Sequence, residues 1–546
     1  MPRSTLTTAL VLALASAPAW SAELFVSTSG NDSSADGSSA RPYRTIGRAI
    51  SASRAGDTVT VLNGTYNECV RLRHRLTLRS PSGQRAHIAC STSTANSVGI
   101  QVDPGASGSR IANLEISGGY YYGIMLQTDW YQGGPTSATG ASNVVMEDLL
   151  VRDSGRDGIK ITPKSNGAII RRVEIRNTGR RDPSNADGID NVNGDGMVVE
   201  DSYIHDTATT GLYFKGGARN VVIQRNRIEN TGDAGILAGF DTSPEYFDLR
   251  VNPDYYEAID GIVRNNVVRN TRYAGIGLYA SKNTVVANNT IVNAASGGHS
   301  AIYFGVTFQD WEPQAKRPAN VNPKVVNNLI IQSNNRCVEI RYSNELGGLS
   351  GLSGSPGTDW NGYGNGCVFR DNRPATAFSQ GNLSQWRNAL NVDANSKQAN
   401  YSVTADGHLP AGSPAIDAGT VLAEVTDDID GQARRAPYDL GADEVGGGSP
   451  PPPTSPPSGR RSTGSQPLAP PSIAQAAAPR SAAAPARPVA ATPAPAAAAA
   501  AAPAPARPAA ALPATVRIAP PVLGLWSRLR DWYERQSRPR EHRARH

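Results

Sequence analysis

From about Val70 to Ser343 the chain repeats itself at a period of roughly 23 to 30 residues, and that period decides what it can fold into. Successive lines such as "SNVVMEDLLVRDSGRDGIKIT", "NGAIIRRVEIRNTGRRDPSNADGIDNV" and "GDGMVVEDSYIHDTATTGLYFKGG" each hold two or three short apolar/polar alternations between polar turns. Alternation of period two marks a half-buried β-strand. One unit is too small to bury its own apolar face, so units must stack, each covering the next. Helical repeats of this length need apolar residues three and four apart, and leucine-rich repeats need a fixed leucine pattern. Neither pattern occurs. The expected architecture is all-β, a single solenoid of parallel coils over residues 23 to about 445.

Asn226, Asn266, Asn289 and Asn328 fall at the same point of successive coils, where stacked amides bond to one another and to turn backbone. They are expected to be structural. Three insertions, Thr128 to Gly140, Asp241 to Ala258 and Thr307 to Asn322, leave from the end of the same repeated strand and should line one side of the coil. They carry Trp130, Tyr131 and Trp311, flat faces on which a sugar can stack or which pack the loops onto the body.

The chemistry concentrates in three consecutive coils, at "RDGIKIT", "NADGIDNVN" and "TTGLYFKGG". Aligned on Gly158, Gly188 and Gly211, they place Asp157 beside Asp187, and Lys160 beside Asp190 and Tyr213. Lys215 stands one outward step further on. Parallel strands lie roughly 4.8 Å apart, so the three aspartates fall within reach of one cation. Three carboxylates make a hard oxygen site suited to Ca²⁺. Both lysines are expected to point outward. Lys160, with Asp157 and Asp190 close by, should stay charged, which leaves Lys215 as the candidate base. Around them Arg152, Arg156, Lys164, Arg171, Arg172, Arg176, Arg180 and Arg181 form a local basic excess, with Arg180, Arg181 and Tyr213 as candidate substrate contacts. Cations beside metal-holding carboxylates suit an acidic, uronate-containing polysaccharide. A purely structural reading competes, because Asp-Gly is common in turns and Lys160 with Asp190 makes an ordinary cross-strand ion pair.

The remaining features set the context. Residues 1–22 have one arginine, an apolar run and small residues near Ala19 and Ala22, as in a secretory signal peptide. An exported chain suits disulfides, and the spacing of its four cysteines suggests Cys69 with Cys90 and Cys337 with Cys367. Net charge is +6, but residues 446–546 hold thirteen arginines against Asp531, Glu534 and Glu541; setting that excess and Arg3 aside leaves about −5 for residues 23–445. No nucleic-acid partner is therefore expected for the folded body. Residues 446–520, rich in Pro and Ala, read as a disordered linker, and 521–546 as a basic amphipathic tail for a membrane or cell-envelope surface. The expected organisation is an entry and N-terminal capping helix at 23–69, coils at 70–343, and C-terminal coils and cap at 344–445. A monomer is expected.

Residues 23–69 resemble the N-terminal entry of secreted right-handed parallel β-helix proteins. The pieces "SPAIDAG", "DIDGQAR" and "DLGADE" resemble a C-terminal segment of many such bacterial proteins. The central motifs resemble those of the family 9 polysaccharide lyases, parallel β-helix pectate lyases that use Ca²⁺ and a lysine base. In that resemblance Asp157 in "RDGIK" sits at the first metal position, and Asp187 and Asp190 in "ADGID" fill two of three cluster positions. Lys215 in "GLYFKGG" stands for the base. Ala186 occupies the place of the third cluster aspartate, and Lys215 lies two residues further from its glycine than the family pattern. The resemblance implies a secreted lyase acting by calcium-assisted β-elimination. Uronate epimerase, glycoside hydrolase and a non-catalytic, carbohydrate-binding or adhesive envelope protein remain alternatives on the same scaffold.

Overall fold

The computed structural model describes residues 21–129, 139–307, 317–344 and 346–448. Trp130, Tyr131, Trp311, most of the signal segment, the linker and the basic tail lie outside the described residues. Three sheets of twelve strands each run the length of the coil stack, parallel throughout except for one antiparallel end strand at Gln380–Gly381, and the stack winds as a right-handed parallel β-helix. Each coil contributes one strand to each sheet in turn. In one coil, Val145–Glu147 lies in sheet 1, Leu150–Arg152 in sheet 2 and Ile159–Ile161 in sheet 3. The next coil repeats them at Ile169–Arg171, Glu174–Arg176 and Ile189–Val192.

Alternation builds the core. Ile159 and Ile161 point inward over Ile189, Leu212, Phe214 and Ile236 of the following coils, while Met146, Ile170 and Val199 fill the column from sheet 1, all fully buried. Sheets 1 and 2 meet at a sharp corner held by one left-handed residue per coil, among them Asp148, Asp201, Asn265, Asn288 and Asn327. Asn and Asp tolerate that conformation better than other side chains with a Cβ. Inside this corner runs the asparagine ladder. The Asn266 backbone N–H and Nδ2 both donate to Asn289 Oδ1, and Asn289 donates in the same way to Asn328. It continues to Asn361, and serines close it: Ser202 N–H donates to Asn226 at one end, and Asn361 N–H to Ser396 at the other.

Helix α1 (Ile46–Ala52) lies against the first strands, with Ile46, Ala49 and Ile50 buried. Thr45 caps it, and the Glu68 carboxylate accepts from the free N–H groups of Ile46 and Gly47. At the other end, helix α2 (Leu383–Leu390) buries Trp386 against Phe369 and Phe378. Residues 400–448 then turn back along the corner of sheets 1 and 2. Both disulfides, Cys69 to Cys90 and Cys337 to Cys367, are formed. Among the described residues no helix is long and apolar enough to cross a membrane.

Candidate active site on sheet 3

The site lies where the chain turns from sheet 2 into sheet 3. The coils from Gly99 to Gly275 each enter sheet 3 through a glycine that has no room for a side chain, whereas Cys69, Ala301 and Cys337 hold that position in the flanking coils. A Cβ on Gly158 would lie 2.7 Å from the Gly188 carbonyl oxygen, one on Gly188 2.3 Å from that of Gly211, and one on Gly211 2.6 Å from that of Gly235. This crowding forces glycine at one register position of these coils and brings the residues beside it together. The pairing follows: Lys160 opposite Asp190, Asp190 opposite Tyr213, and Val192 opposite Lys215.

Asp157, Asp187 and Asp190 converge, each offering an oxygen within 4.8 Å of the others. All three leave the coil on its outer side yet are almost fully buried, between 1% and 2% exposed. They take the outer side that the alternation implies, and neighbouring side chains cover them. Asp157 Oδ1 accepts the Asp187 N–H at 3.0 Å. Asp187 Oδ1 accepts the Thr209 hydroxyl at 2.7 Å and the Thr210 N–H at 2.9 Å. Asp190 Oδ2 takes the Lys160 ammonium, which also lies 4.0 Å from Asp157. Asp190 Oδ1 is buried with no hydrogen bond of ordinary geometry, and the Tyr213 phenol is the polar group beside Asp187 and Asp190.

Burial first, then the charge of Asp190, raises the Asp157 carboxyl well above the ordinary aspartate range, and the same two causes raise Asp187. Lys160 is shifted the other way in effect: burial opposes its charge, but Asp190, Tyr122 and Asp157 outweigh it and hold the ammonium charged. This cluster is short of positive charge and has one unmet oxygen. A cation fits both conditions. Two oxygens on opposite sides of a Ca²⁺ ion, with bonds of about 2.4 Å, are about 4.8 Å apart, so the three carboxylates can share one ion.

Lys215 is 8% exposed. Its Nζ lies 4.3 Å from the centre of the Tyr213 ring and 5.7 Å from that of Phe240, and it donates to the Asp241 carbonyl oxygen at 3.3 Å. Tyr213 is itself buried, and burial with the charges of Asp187 and Asp190 holds its phenol well above the ordinary range. Arg181 lies on the other side of the aspartates, its guanidinium 3.9 Å over the Tyr120 ring and its Nε donating to the Tyr120 carbonyl. Arg180 is exposed and 3.8 Å from Asp153.

The rest of the basic excess does not gather here. Arg171 and Arg172 pair with Glu147 on sheet 1, Arg152 with Glu115 and Arg176 with Glu174 on sheet 2, and Lys164 with Asp248. Sequence neighbours on a coil of three faces point in three directions; Lys160 and Lys215 are the cations that act on the aspartates, while Arg180 and Arg181 reach Asp153 and Tyr120. Two further groups belong to the site. Tyr122 occupies, before Gly123, the register position of Asp157 before Gly158; burial pushes its phenol up to about 12, and the Lys160 amine lies 5.8 Å from its ring. Asp233 stands one place outside the Asp-Gly pattern, before Ala234 and Gly235. Burial and then the charge of Asp187 push its carboxyl up to about 7. Tyr122 was findable from the glycine register, whereas Asp233 has no such signal.

The fold and this corner make the chain a right-handed parallel β-helix protein. The family described as a right-handed beta helix region matches residues 136–308, and a family of unknown function (DUF1565) matches residues 28–81. No curated protein matches the chain. Among solved structures it is similar to pectate lyase Pel9A, at 15% identity over 78% of this chain and 96% of that one, with a TM-score of 0.49. It is also similar to an alginate lyase from a Paenibacillus species, at 17% identity over 54% and 94% of the two chains and a TM-score of 0.40. For the A-module of the Azotobacter vinelandii mannuronan C-5 epimerase AlgE6 the figures are 14%, 55%, 85% and 0.42. These are likenesses of fold, and they assign no reaction.

Proposed function

We propose that the protein is a secreted lyase of an acidic, uronate-containing polysaccharide, with Lys215 as its base and Asp157, Asp187 and Asp190 as the holders of a Ca²⁺ ion. The observation that carries this reading is the meeting of three buried carboxylates, one with an uncommitted oxygen, and a lysine on the next coil. A bound Ca²⁺ would neutralise a sugar carboxylate and so stabilise the carbanion-like state formed when the adjacent C5 loses its proton. Lys215, held over Tyr213 and Phe240, takes that proton. The C5–H electron pair becomes the C4–C5 double bond, and the O4-linked sugar departs with the electrons of the broken C–O bond. Lys160 is committed to Asp190 and stays out of proton transfer; its charge offsets part of the carboxylate cluster. Arg180 and Arg181 orient sugar carboxylates beside the aspartates, and Trp130, Tyr131 and Trp311 offer stacking faces on the insertions. The tail at 521–546 rests on an anionic membrane or cell-envelope surface, and the protein acts as a monomer.

Asp233 favours one other reading. A carboxyl that is half protonated near neutral pH, close to the carboxylate Asp187, suits the acid of a glycoside hydrolase. The two readings give different products. Elimination leaves an unsaturated sugar that absorbs in the ultraviolet, and hydrolysis does not. Incubation with a panel of polyuronates, with Ca²⁺ or with a chelator, should give that absorbance only with Ca²⁺. Lys215→Ala should abolish it while polymer binding persists. Reducing ends released without ultraviolet absorbance would replace the lyase by the hydrolase.

A further inference from the structure

Outside the coil, next to Lys215, lies an ion pair that the elimination chemistry does not use. Glu257 and Arg317 both have side chains with no exposed surface, and Arg317 Nε lies 3.3 Å from Glu257 Oε1. The guanidinium lies against a pair of touching aromatic rings, 4.6 Å from the centre of Phe247 and 5.0 Å from that of Tyr255, with the two ring centres 5.3 Å apart. Arg317 Nη2 donates to the Thr242 carbonyl, while Nη1 is buried with no hydrogen-bond partner. A buried pair with an unmet donor is a poor device for stability alone, since apolar residues of similar volume do as well or better.

What the pair holds is specific. Glu257 Oε2 accepts the N–H of Gly216, the residue directly after Lys215, at 2.9 Å. Its Oε1 accepts the N–H of Thr242 at 3.0 Å, and Oε2 also takes the Thr242 hydroxyl at 2.6 Å. The peptide unit joining Asp241 to Thr242 is planar and trans, so its C=O and N–H point in opposite directions. The N–H is fixed by Glu257, and the C=O receives Lys215 Nζ. Glu257 therefore grips the lysine at both ends: the backbone beyond its Cα, and the acceptor of its amine. Gly216 and Gly217 are both left-handed, a conformation in which this strand end would otherwise be free to turn.

We propose that Glu257, locked by Arg317, is a positioning residue that sets the direction of the Lys215 amine over the Tyr213 ring. This rests on the reading of Lys215 as the base. It also explains why the insertion at 241–258 and the return from the insertion at 307–322 meet here: together they supply Thr242, Glu257 and Arg317.

The test reads the lysine directly as well as through turnover. The chain has seven lysines, so amine acetylation with limiting acetic anhydride across a range of pH can be followed at each by mass spectrometry of the peptides. In the full chain, Glu257→Gln keeps size but removes one acceptor and the charge. It should change the acetylation rate of Lys215 by about threefold or more, with Lys282 and Lys324 unmoved, and lower kcat on polygalacturonate about tenfold or more with KM little changed. Arg317→Lys keeps the charge and loses the donation to the Thr242 carbonyl; it should move Lys215 acetylation in the same direction by about twofold. Circular dichroism establishes which variants fold. Lys215 acetylation at the wild-type rate in every folded variant overturns the proposal, even if the wild type is a lyase. A changed acetylation rate in a protein that eliminates no polyuronate upholds the positioning and removes only the lyase reading.

Discussion

At the scale of single residues, the aspartate cluster makes pH and cation act against each other. Asp157 and Asp187 have carboxyls raised above the value of an unfolded aspartate, and Asp233 is raised to about 7. A group whose folded pKa is raised contributes stability that is complete below its unfolded pKa and is lost as pH rises through the folded one. Without a cation the melting temperature should therefore fall as pH rises from about 4 toward 7. Ca²⁺ binds the ionised carboxylates and should reverse that fall, so its stabilising effect grows over the same window. Differential scanning calorimetry with Ca²⁺ or a chelator checks this. In the Asp187→Asn, Asp190→Asn double variant the difference should vanish while the coil stays folded, and a calcium effect that survives there places the ion elsewhere.

At the scale of elements, the ladder inside the corner of sheets 1 and 2 shows how buried polar groups hold coils in register. Asn289 Oδ1 accepts two bonds from Asn266, and its Nδ2 donates to the Val263 and Ala287 carbonyls and to Asn328, all fully buried. Asn289→Ala leaves the buried Asn266 N–H without its acceptor and takes a donor from the buried Val263 and Ala287 carbonyls, and should cost about 2–4 kcal/mol in denaturant unfolding. Asn270, whose amide reaches Asn230 on the exposed corner of sheets 2 and 3, offers the contrast. Asn270→Ala, which loses an exposed bond and puts alanine in the left-handed region, should cost only about 1 kcal/mol. A loss at Asn289 no larger than that at Asn270 would mean that water satisfies the ladder.

The same elements explain what could be read from the chain alone. Register was legible because glycine is compulsory where the central coils enter sheet 3: a Cβ on Gly188 would strike the Gly211 carbonyl. Aligning on that glycine brings Asp157, Asp187, Asp190 and Lys160 together without coordinates. The four ladder asparagines were legible for the same periodic reason, but Asn361 was not, because the last coils lose the spacing. Burial of the aspartates was illegible, since alternation says which side of a strand a residue takes and not what lies over that side. Glu257 and Arg317, 60 residues apart on aperiodic insertions, left no pattern.

At the scale of the whole molecule, residues 400–448 run across successive paired coils and tie them together from outside. Asn265, Asn288 and Asn327, left-handed at the corner, extend their amides to the carbonyls of Asp427, Asp439 and Thr420. Arg225 pairs with Asp427 at 2.7 Å, and buried Arg434 donates to Asn265, Glu444 and the carbonyls of Asp427, Gly441 and Ala442. Leu422, Val425 and Tyr438 pack on Ala287 and Val326. At one end of this strap His408 sits between two carboxylates, 3.1 Å from Asp406 and 2.8 Å from Asp430. Burial opposes its charge, but those carboxylates outweigh burial and push it up to about 9. The sign is that of a raised base: the stabilisation is complete below the unfolded histidine value, near 6.5, and is lost as pH rises through about 9. Cleavage within 400–448 in limited proteolysis should therefore quicken between about pH 6.5 and 9 in the wild type. His408→Ala, already without the ion triad, should show faster cleavage at neutral pH and a flat profile across that window. A profile as steep in the variant as in the wild type would assign the loosening to another group along the strap.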